Sequence, residues 1–463
     1  MSDSVDARGD HLRRESSGRR VVVTGMGAIT PSGNSVATLW QSVRDGHSAI
    51  RVLEGEEFDD LPVRIGGQVR DFDPSAYLPR TLARRLSPVQ QWAIAAADQA
   101  VAQATMQSNT AETSGPNAAT TVEIPDAAAP ASAASASAVP GPDDLPWDPQ
   151  RVVVIAATGS GPVDAMQAAT RALDEGGPRS VPLTLAIHGA ADAAAALLSQ
   201  RYGTLGTAHA VNATCASGAI GLGDGLRLIR HGYADAVLVV GMEDCLGPVN
   251  LASNANMRAL AAGYEDDPAA ACRPFDRARA GFVMSSGAAA VLLEAEDTAR
   301  SRDAEVLAEL VGFGASSDAH HPTAPHPEGR GAAQAMRVCL ADAGLGPDAV
   351  DHVNTHGTGT PAGDAAEVTA LADVLGPRAR DVPLTATKSA TGHLLGAAGV
   401  VEAVLAVRSL TDGFLPPTLN LDDQEFDGWD IVTGAAREAD IGTVLSTSFG
   451  FGGHNAAVLF AHR

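Results

Sequence analysis

Apolar positions along this chain follow two alternating rhythms. Residues 19–33, RRVVVTGMGAITPSG, form a β-branched run closing in a Gly/Pro turn and predict a strand. Val36, Leu39, Trp40 and Val43 then fall at helical spacing, with Gly46 placed to end the helix. That order of strand, turn and helix marks α/β architecture. Strand patterns return at residues 151–158, 234–241 and 350–354. Helical patterns return at Met336, Cys339 and Leu340 before Gly344, and at Val368, Leu371 and Leu375 before Gly376. The most apolar long stretch, Leu394 to Leu410, carries Glu402 and Arg408 and reads as a buried helix rather than a bilayer span.

Two segments break the rhythm. Residues 107–145 are rich in Ala, Ser and Pro and hold too little bulky apolar side chain to offset the entropy of ordering, so they read as a mobile surface insertion. The first twenty residues mix both charges without an apolar segment and do not read as a secretory signal. An internal repeat is also visible. VVVIAATGSGPVDA at 152–165 resembles VDHVNTHGTGTPAGDA at 350–365, and NATCASGAIGLGDGL resembles TATKSATGHLLGAAG. The second pair sets Cys215 against Lys388 and His393 as related positions of two halves.

Composition sharpens this. The 463 residues are 45% hydrophobic but only 4% aromatic, so the core must be built mainly from Ala, Val and Leu. A formal charge of -23 repels polyanions and argues against nucleic acid as a partner. The four cysteines, at 215, 245, 272 and 339, form no C-x-x-C pair, which disfavours a zinc site or a disulfide framework and points to a reducing cytoplasm. Of 32 basic residues, Lys388 alone is lysine. A compact ammonium differs from a wide, planar guanidinium, so this position reads as one where arginine will not serve.

Cys215 lies between the apolar run AHAVN and a helix of small residues. A helix N-terminus favours the thiolate, so the spacing predicts a lowered thiol pKa. Ala216, Ser217 and Gly218 leave room for a substrate. Taken singly, each free cysteine is as well read as a small core hydrophobe. His356 and His393 occupy glycine-rich turns, NTHGTGTPAGD and KSATGHLLGAAG, where a lone histidine is commonly structural. Together these residues supply a nucleophile and two neutral N–H donors able to polarise a carbonyl.

The chain resembles the β-ketoacyl-acyl carrier protein synthases of the elongating type II kind, with actinobacterial-like wording. Matching stretches include RRVVVTGMGAITPSGN, NATCASGAIG, RPFDRARAGFVM, GFGASSDAHH, VNTHGTGTPAGDAAE, ATKSATGHLLGAAG and STSFGFGGHN, in order from about Arg19 to the C-terminus. The resemblance implies a thiolase fold: two pseudo-symmetric βαβ halves in a five-layered α-β-α-β-α core. It divides the chain into a leader at 1–18, an N-terminal half at 19–302 carrying the insertion, and a C-terminal half at 303–463. Cys215 then matches the acyl-accepting nucleophile, and His356 and His393 the pair that binds the malonyl carbonyl. Lys388 matches the lysine supporting that pair, Glu367 the acid held near the lysine, and Phe451 the mobile gate beside the cysteine. Thr358 and Thr360 match hydroxyls that contact phosphopantetheine, and Gly452 and Gly453 complete the substrate-binding set. The implied reaction is decarboxylative condensation, with no metal or redox cofactor and phosphopantetheine arriving on the carrier.

Arg80, Arg84 and Arg85 match the carrier-docking region and Arg179 another basic position; on so acidic a chain they would attract an acidic carrier helix. The implied partners are an acyl carrier protein and either a second copy or a related cysteine-less subunit, with no membrane. Where the family often has Asp and Glu, this chain has Ala280 and Ser286, which puts a housekeeping role in doubt. Fatty acid and type II polyketide elongation both remain open. A noncatalytic chain-length-shaping subunit is the alternative; Cys215 speaks against it, and His393, where thiolases carry a second cysteine, speaks against a thiolase.

Overall fold

The structure is a computed structural model and describes residues 18–106 and 145–463. All but the last residue of the leader and of the insertion lie outside the described residues. Ten strands build the main sheet: β1 (Val21–Ile29), β2 (Val152–Ala157), β3 (Ala208–Val211), β4 (Ala236–Glu243), β5 (Gly287–Ala295), β6 (Ala308–Ser317), β7 (His352–Asn354), β8 (Leu384–Thr385), β9 (Thr443–Gly450) and β10 (His454–Ala461). Eight helices position the site: α1 (Val36–Arg44), α2 (Pro88–Thr105), α3 (Val163–Gly176), α4 (Ala193–Tyr202), α5 (Ser217–Arg230), α6 (Arg330–Ala343), α7 (Pro361–Leu375) and α8 (Ala398–Asp412).

The first five strands lie in the order β3-β2-β4-β5-β1 and the next five in the order β8-β7-β9-β10-β6, so each strand has its counterpart five places later. In each half four strands run in one direction and one, β5 or β10, runs against them. The halves meet through a short antiparallel contact between β1 and β6, Val22 with Glu309 and Val23 with Ala308. Because alternate residues of a strand face opposite sides, β2 sends Val152, Val154 and Ala156 toward α2 and α4, and Val153 and Ile155 toward α5 and α8. The second half repeats this: Val444 and Val458 face α5 and α8, while Leu445 and Leu459 face α6 and α7. The result is the expected five layers, with α5 and α8 between the two halves of the sheet.

Small residues let the two central helices touch. A Cβ on Gly218 would lie 2.7 Å from the Val400 nitrogen, and one on Gly399 would lie 2.6 Å from the Ala219 nitrogen. The ends of α5 and α8 therefore meet, and the turns that precede them, bearing Cys215 and His393, are brought together. The repeat read from the sequence is a structural one: 152–165 and 350–365 are β2–α3 and β7–α7, and the Cys215 and Lys388 segments follow β3 and β8. Among the described residues no helix is long and apolar enough to cross a membrane.

Candidate active site

The turn after β7 carries His356 and runs into α7, whose first residue is Pro361, a residue preset for a helix start. Helix α7 reaches back to satisfy this turn. Glu367 accepts the backbone N–H groups of His356 and Gly357, both at 2.8 Å, and the Thr447 hydroxyl at 2.7 Å. Asp364 accepts the N–H of Gly359 at 3.1 Å. Burial pushes Asp364 up to about 7 and also raises Glu367, against the pull of those N–H groups.

After β8 a single helical turn, Lys388–Thr391, ends at Gly392 with φ 69°, and His393 follows. Lys388 is 1% exposed. Its ammonium pairs with Glu402 of α8 and reaches His356 Nδ1 at 3.4 Å. The acid paired with the lysine is thus Glu402. Glu367, read from the sequence as an acid held near the lysine, feels the Lys388 charge and serves the His356 turn. Burial raises Glu402 to about 7 against the opposing pull of Lys388. The imidazoles of His356 and His393 stand edge to face with centroids 5.3 Å apart. Burial first, and then the Lys388 charge, hold both well below the ordinary histidine range, so both are neutral donors.

Cys215 sits in the tight turn Thr214–Ala216 that joins β3 to α5. Ser217 braces the turn, accepting from the Ala213 N–H at 2.8 Å. The expected lowering of the thiol pKa is not found: burial pushes Cys215 up to about 12, outweighing the Lys388 charge and the Phe451 backbone N–H, which pull it down. The reason is desolvation, which sequence spacing does not reveal. Behind the turn, Glu243 at the end of β4 gathers the backbone N–H groups of Gly159 at 2.6 Å, Ser160 at 3.1 Å and Gly396 at 2.9 Å. It ties the loop after β2 to the turn before α8, and burial raises it to about 7.

A cavity of about 370 Å³ unites Cys215, His356, His393, Glu367, Thr358, Thr360, Phe451 and Gly453. Thr358 and Thr360 are 3.1 Å apart through their hydroxyls. Lys388 lies behind this wall and Gly452 turns away, donating to the Pro322 carbonyl at 2.6 Å. Phe282 stacks edge to face on both His393 and Phe451, at 5.5 and 6.3 Å between centroids. Arg80, Arg84 and Arg85 are exposed on and just after the one-turn helix Arg80–Ala83, away from the cavity, and Arg179 is exposed on a separate turn. None of the four has an ion-pair partner among the described residues. Ser286, at the place of a family acid, donates to Asp244 at 3.1 Å, and Ala280 lines the cavity. Glu402 and Glu243 are the residues that sequence reasoning passed over; each is a lone acid in an otherwise apolar run, AGVVEAVLAV and AVLVVGME. Among the described residues no group of three or more His, Cys, Asp or Glu side chains is placed to hold a metal ion.

A buried cysteine facing two neutral histidines, at the meeting point of two thiolase-like halves, defines a condensing acyltransferase. Residues 18–137 and 127–299 match the β-ketoacyl synthase N-terminal domain and residues 307–422 the C-terminal domain. The chain is 36% identical over 445 residues to the 3-oxoacyl-[acyl-carrier-protein] synthase 2 of Synechocystis sp., covering 96% of this chain and 98% of that one. It also superposes on a type II polyketide synthase acyl-carrier protein in complex with its ketosynthase bound to the hexaketide (TM-score 0.81, 25% identity, 96% and 100% of the chains covered). A third match is the ishigamide ketosynthase/chain length factor (TM-score 0.79, 28% identity, 96% and 100% covered). The chain belongs to the β-ketoacyl synthase family and has the thiolase fold.

Proposed function

We propose that this enzyme condenses malonyl-acyl carrier protein with an acyl chain held on Cys215. The observation that carries this reading is the convergence of Cys215, His356 and His393 on one cavity, with the buried Lys388–Glu402 pair behind the histidines. In the first half-reaction the Cys215 sulfur attacks the carrier thioester. The thiol proton leaves with the phosphopantetheine sulfur, so the exchange of one thioester for another is neutral overall. The N–H groups of Cys215 and Phe451 serve the oxyanion of the tetrahedral intermediate.

In the second half-reaction Lys388 at His356 Nδ1 leaves the other ring nitrogen of His356 to face the cavity. His356 and His393 hydrogen-bond the malonyl thioester oxygen as CO2 departs and negative charge collects there. The enolate carbon attacks the acyl-cysteine, forming the new C–C bond and breaking the S–acyl bond. Cys215 then takes a proton back from water, and the product is a β-ketoacyl thioester two carbons longer. Thr358 and Thr360 hold the phosphopantetheine arm. The reaction drawn here uses no metal or redox cofactor.

The exposed group Arg80, Arg84 and Arg85, with Arg179, offers an acidic carrier its docking surface. The working assembly is a dimer, either of two copies or with a related cysteine-less subunit, and its place is the reducing cytoplasm; the four cysteines are free thiols. Intact mass of the carrier, after incubation with malonyl-carrier and acyl-carriers of several lengths, tests the reading. A β-ketoacyl product two carbons longer supports it. Acylation without elongation, at every primer length, would overturn it.

A further inference from the structure

Eight non-glycine residues among those described have positive φ, and Thr214, at 49°, is the one with a β-branched side chain. Such a residue in the left-handed region is a steric outlier that persists only where its surroundings enforce it. Thr214 immediately precedes Cys215, and the enforcing surroundings are the loop that carries Phe451. The Thr214 hydroxyl lies 2.8 Å from the Phe451 carbonyl and 2.8 Å from its neighbour, the Ala213 carbonyl. One hydroxyl proton serves one of them at a time.

Nothing else among the described residues bonds the Phe451 carbonyl. On the far side of Phe451 come Gly452 and Gly453, with φ of 87° and 75°, and on the near side Gly450. A Cβ at Gly450 would lie 2.2 Å from the Thr214 hydroxyl oxygen and 3.0 Å from the Cys215 nitrogen, so glycine there is what lets the two turns interlock. Phe451 is thus a large ring on a glycine-rich loop, fixed to the nucleophile's turn by one side chain. Its two backbone ends face the same turn: the carbonyl meets Thr214, and the N–H faces the Cys215 thiol.

We propose that Thr214 is a positioning residue that latches the Phe451 loop to the nucleophile turn, holding the Phe451 N–H at the oxyanion position and the Phe451 ring against Phe282 beside His393. This rests on Cys215 being the nucleophile. Opening the gate for a chain then requires the Thr214 hydroxyl to let go of Phe451, with the Ala213 carbonyl waiting as its alternative acceptor. The latch reports the state of the gate directly to the residue next to the cysteine.

The test compares Thr214→Val, which keeps the shape and loses the hydroxyl, with Thr214→Ser, which keeps the hydroxyl. Two readouts are taken by intact mass: the rate of acyl transfer from acyl-carrier to Cys215, and the pH profile of Cys215 alkylation by iodoacetamide. Thr214→Val is expected to slow acylation about tenfold, the factor one lost hydrogen bond supplies, and to move the alkylation profile to higher pH. Thr214→Ser should stay within about twofold of wild type in both. A merely structural role would lower the melting temperature without moving the alkylation profile. If Thr214→Val fails to fold, Thr214→Ala, without β-branching at the strained position, carries the same expectation. A hydroxyl-free variant that matches wild type in both readouts, or a folded Thr214→Ser that fails to rescue, would overturn the latch. Absence of acyl transfer to Cys215 in the wild type would instead overturn the nucleophile on which it rests.

Discussion

Replacing Glu402 by glutamine removes one charge and almost no volume, and it does so where both partners are nearly sealed from water. Lys388 is 1% exposed and Glu402 2%. Breaking a buried pair by removing one charge costs about 3–5 kcal/mol, because the remaining ion is left without compensation in a poorly solvated site. The glutamine oxygen still accepts from the ammonium, and the Glu402 Oε2 atom has no hydrogen-bond partner to lose, which favours the lower end. A chain of this length unfolds with an entropy of about 1 kcal/mol per kelvin, so a melting temperature lower by about 3 °C is expected. The chemical consequence should be larger. Without the Glu402 charge the ammonium is no longer held at His356 Nδ1, and that nitrogen is free to carry the ring proton instead of accepting. The imidazole then turns a bare nitrogen to the cavity, and one donor to the malonyl oxygen disappears. Loss of one such donor typically costs 10²–10³ in rate. The assay is conversion of malonyl-carrier to acetyl-carrier, read by mass, beside acylation of Cys215 in the same preparation. A hundredfold loss of decarboxylation with only a several-fold loss of acylation is expected. Wild-type decarboxylation in a folded Glu402→Gln enzyme would refute the claim that this pair sets the protonation of His356.

Three further outcomes follow from the same geometry. Lys388→Arg keeps the charge but places a wide, fixed fork in a buried site between Glu402 and His356; it should fold and lose most decarboxylation and condensation, and near wild-type turnover would show that ammonium and guanidinium are interchangeable here. Because His356 and His393 are held well below their ordinary value, both stay neutral as pH falls through 6.5, so decarboxylation between about pH 6 and 8 should show no acid limb near the ordinary histidine pKa; a limb there would mean that one of them titrates as a solvated imidazole. Changing Arg80, Arg84 and Arg85 together to glutamate should raise KM for acyl-carrier at least several-fold with kcat little changed, and the difference should shrink in high salt; an unchanged KM at low salt would place carrier docking elsewhere.

Much of this site was legible before any coordinates. Gly/Ser/Thr/Pro turns after apolar runs exposed the repeat, since turn chemistry is written locally, and β2–α3 and β7–α7 do occupy equivalent places. The lone lysine was informative because every other basic side chain of Lys or Arg type is arginine. What stayed hidden depends on burial and on distant neighbours. Glu402 lies nine residues beyond His393 on a helix that reads as buried, but the sequence does not say what the acid meets there; only the packing of α8 between the two halves of the sheet makes it the partner of Lys388. Cys215 was read as acidified by its helix, yet that effect acts within the first turn and is modest, while removal of water from the thiol acts on the whole charge and pushes it the other way. The latch at Thr214 joins residues 237 positions apart and has no local signature.

The two halves place different side chains on equivalent turns of one scaffold. The motif that brings Thr158, Gly159 and Ser160 after β2 brings His356, Gly357 and Thr358 after β7. Each loop is pinned through backbone N–H groups by a buried carboxylate, Glu243 in one half and Glu367 in the other. A carboxylate on backbone N–H groups fixes a turn without specifying its side chains, so the same architecture tolerates a threonine at one loop and an imidazole at the other. The segments after β3 and β8 diverge in the same way: one presents Cys215 at the start of α5, the other buries Lys388 and sets His393 before α8. Glu243 also binds Gly396, which belongs to the second half, and Thr214 binds Phe451, which does too. The Cys215 and His356 sides are therefore cross-braced rather than merely adjacent. A shift of either turn is transmitted to the other, which is what the proposed reaction between an enolate on one side and a thioester on the other demands of its frame.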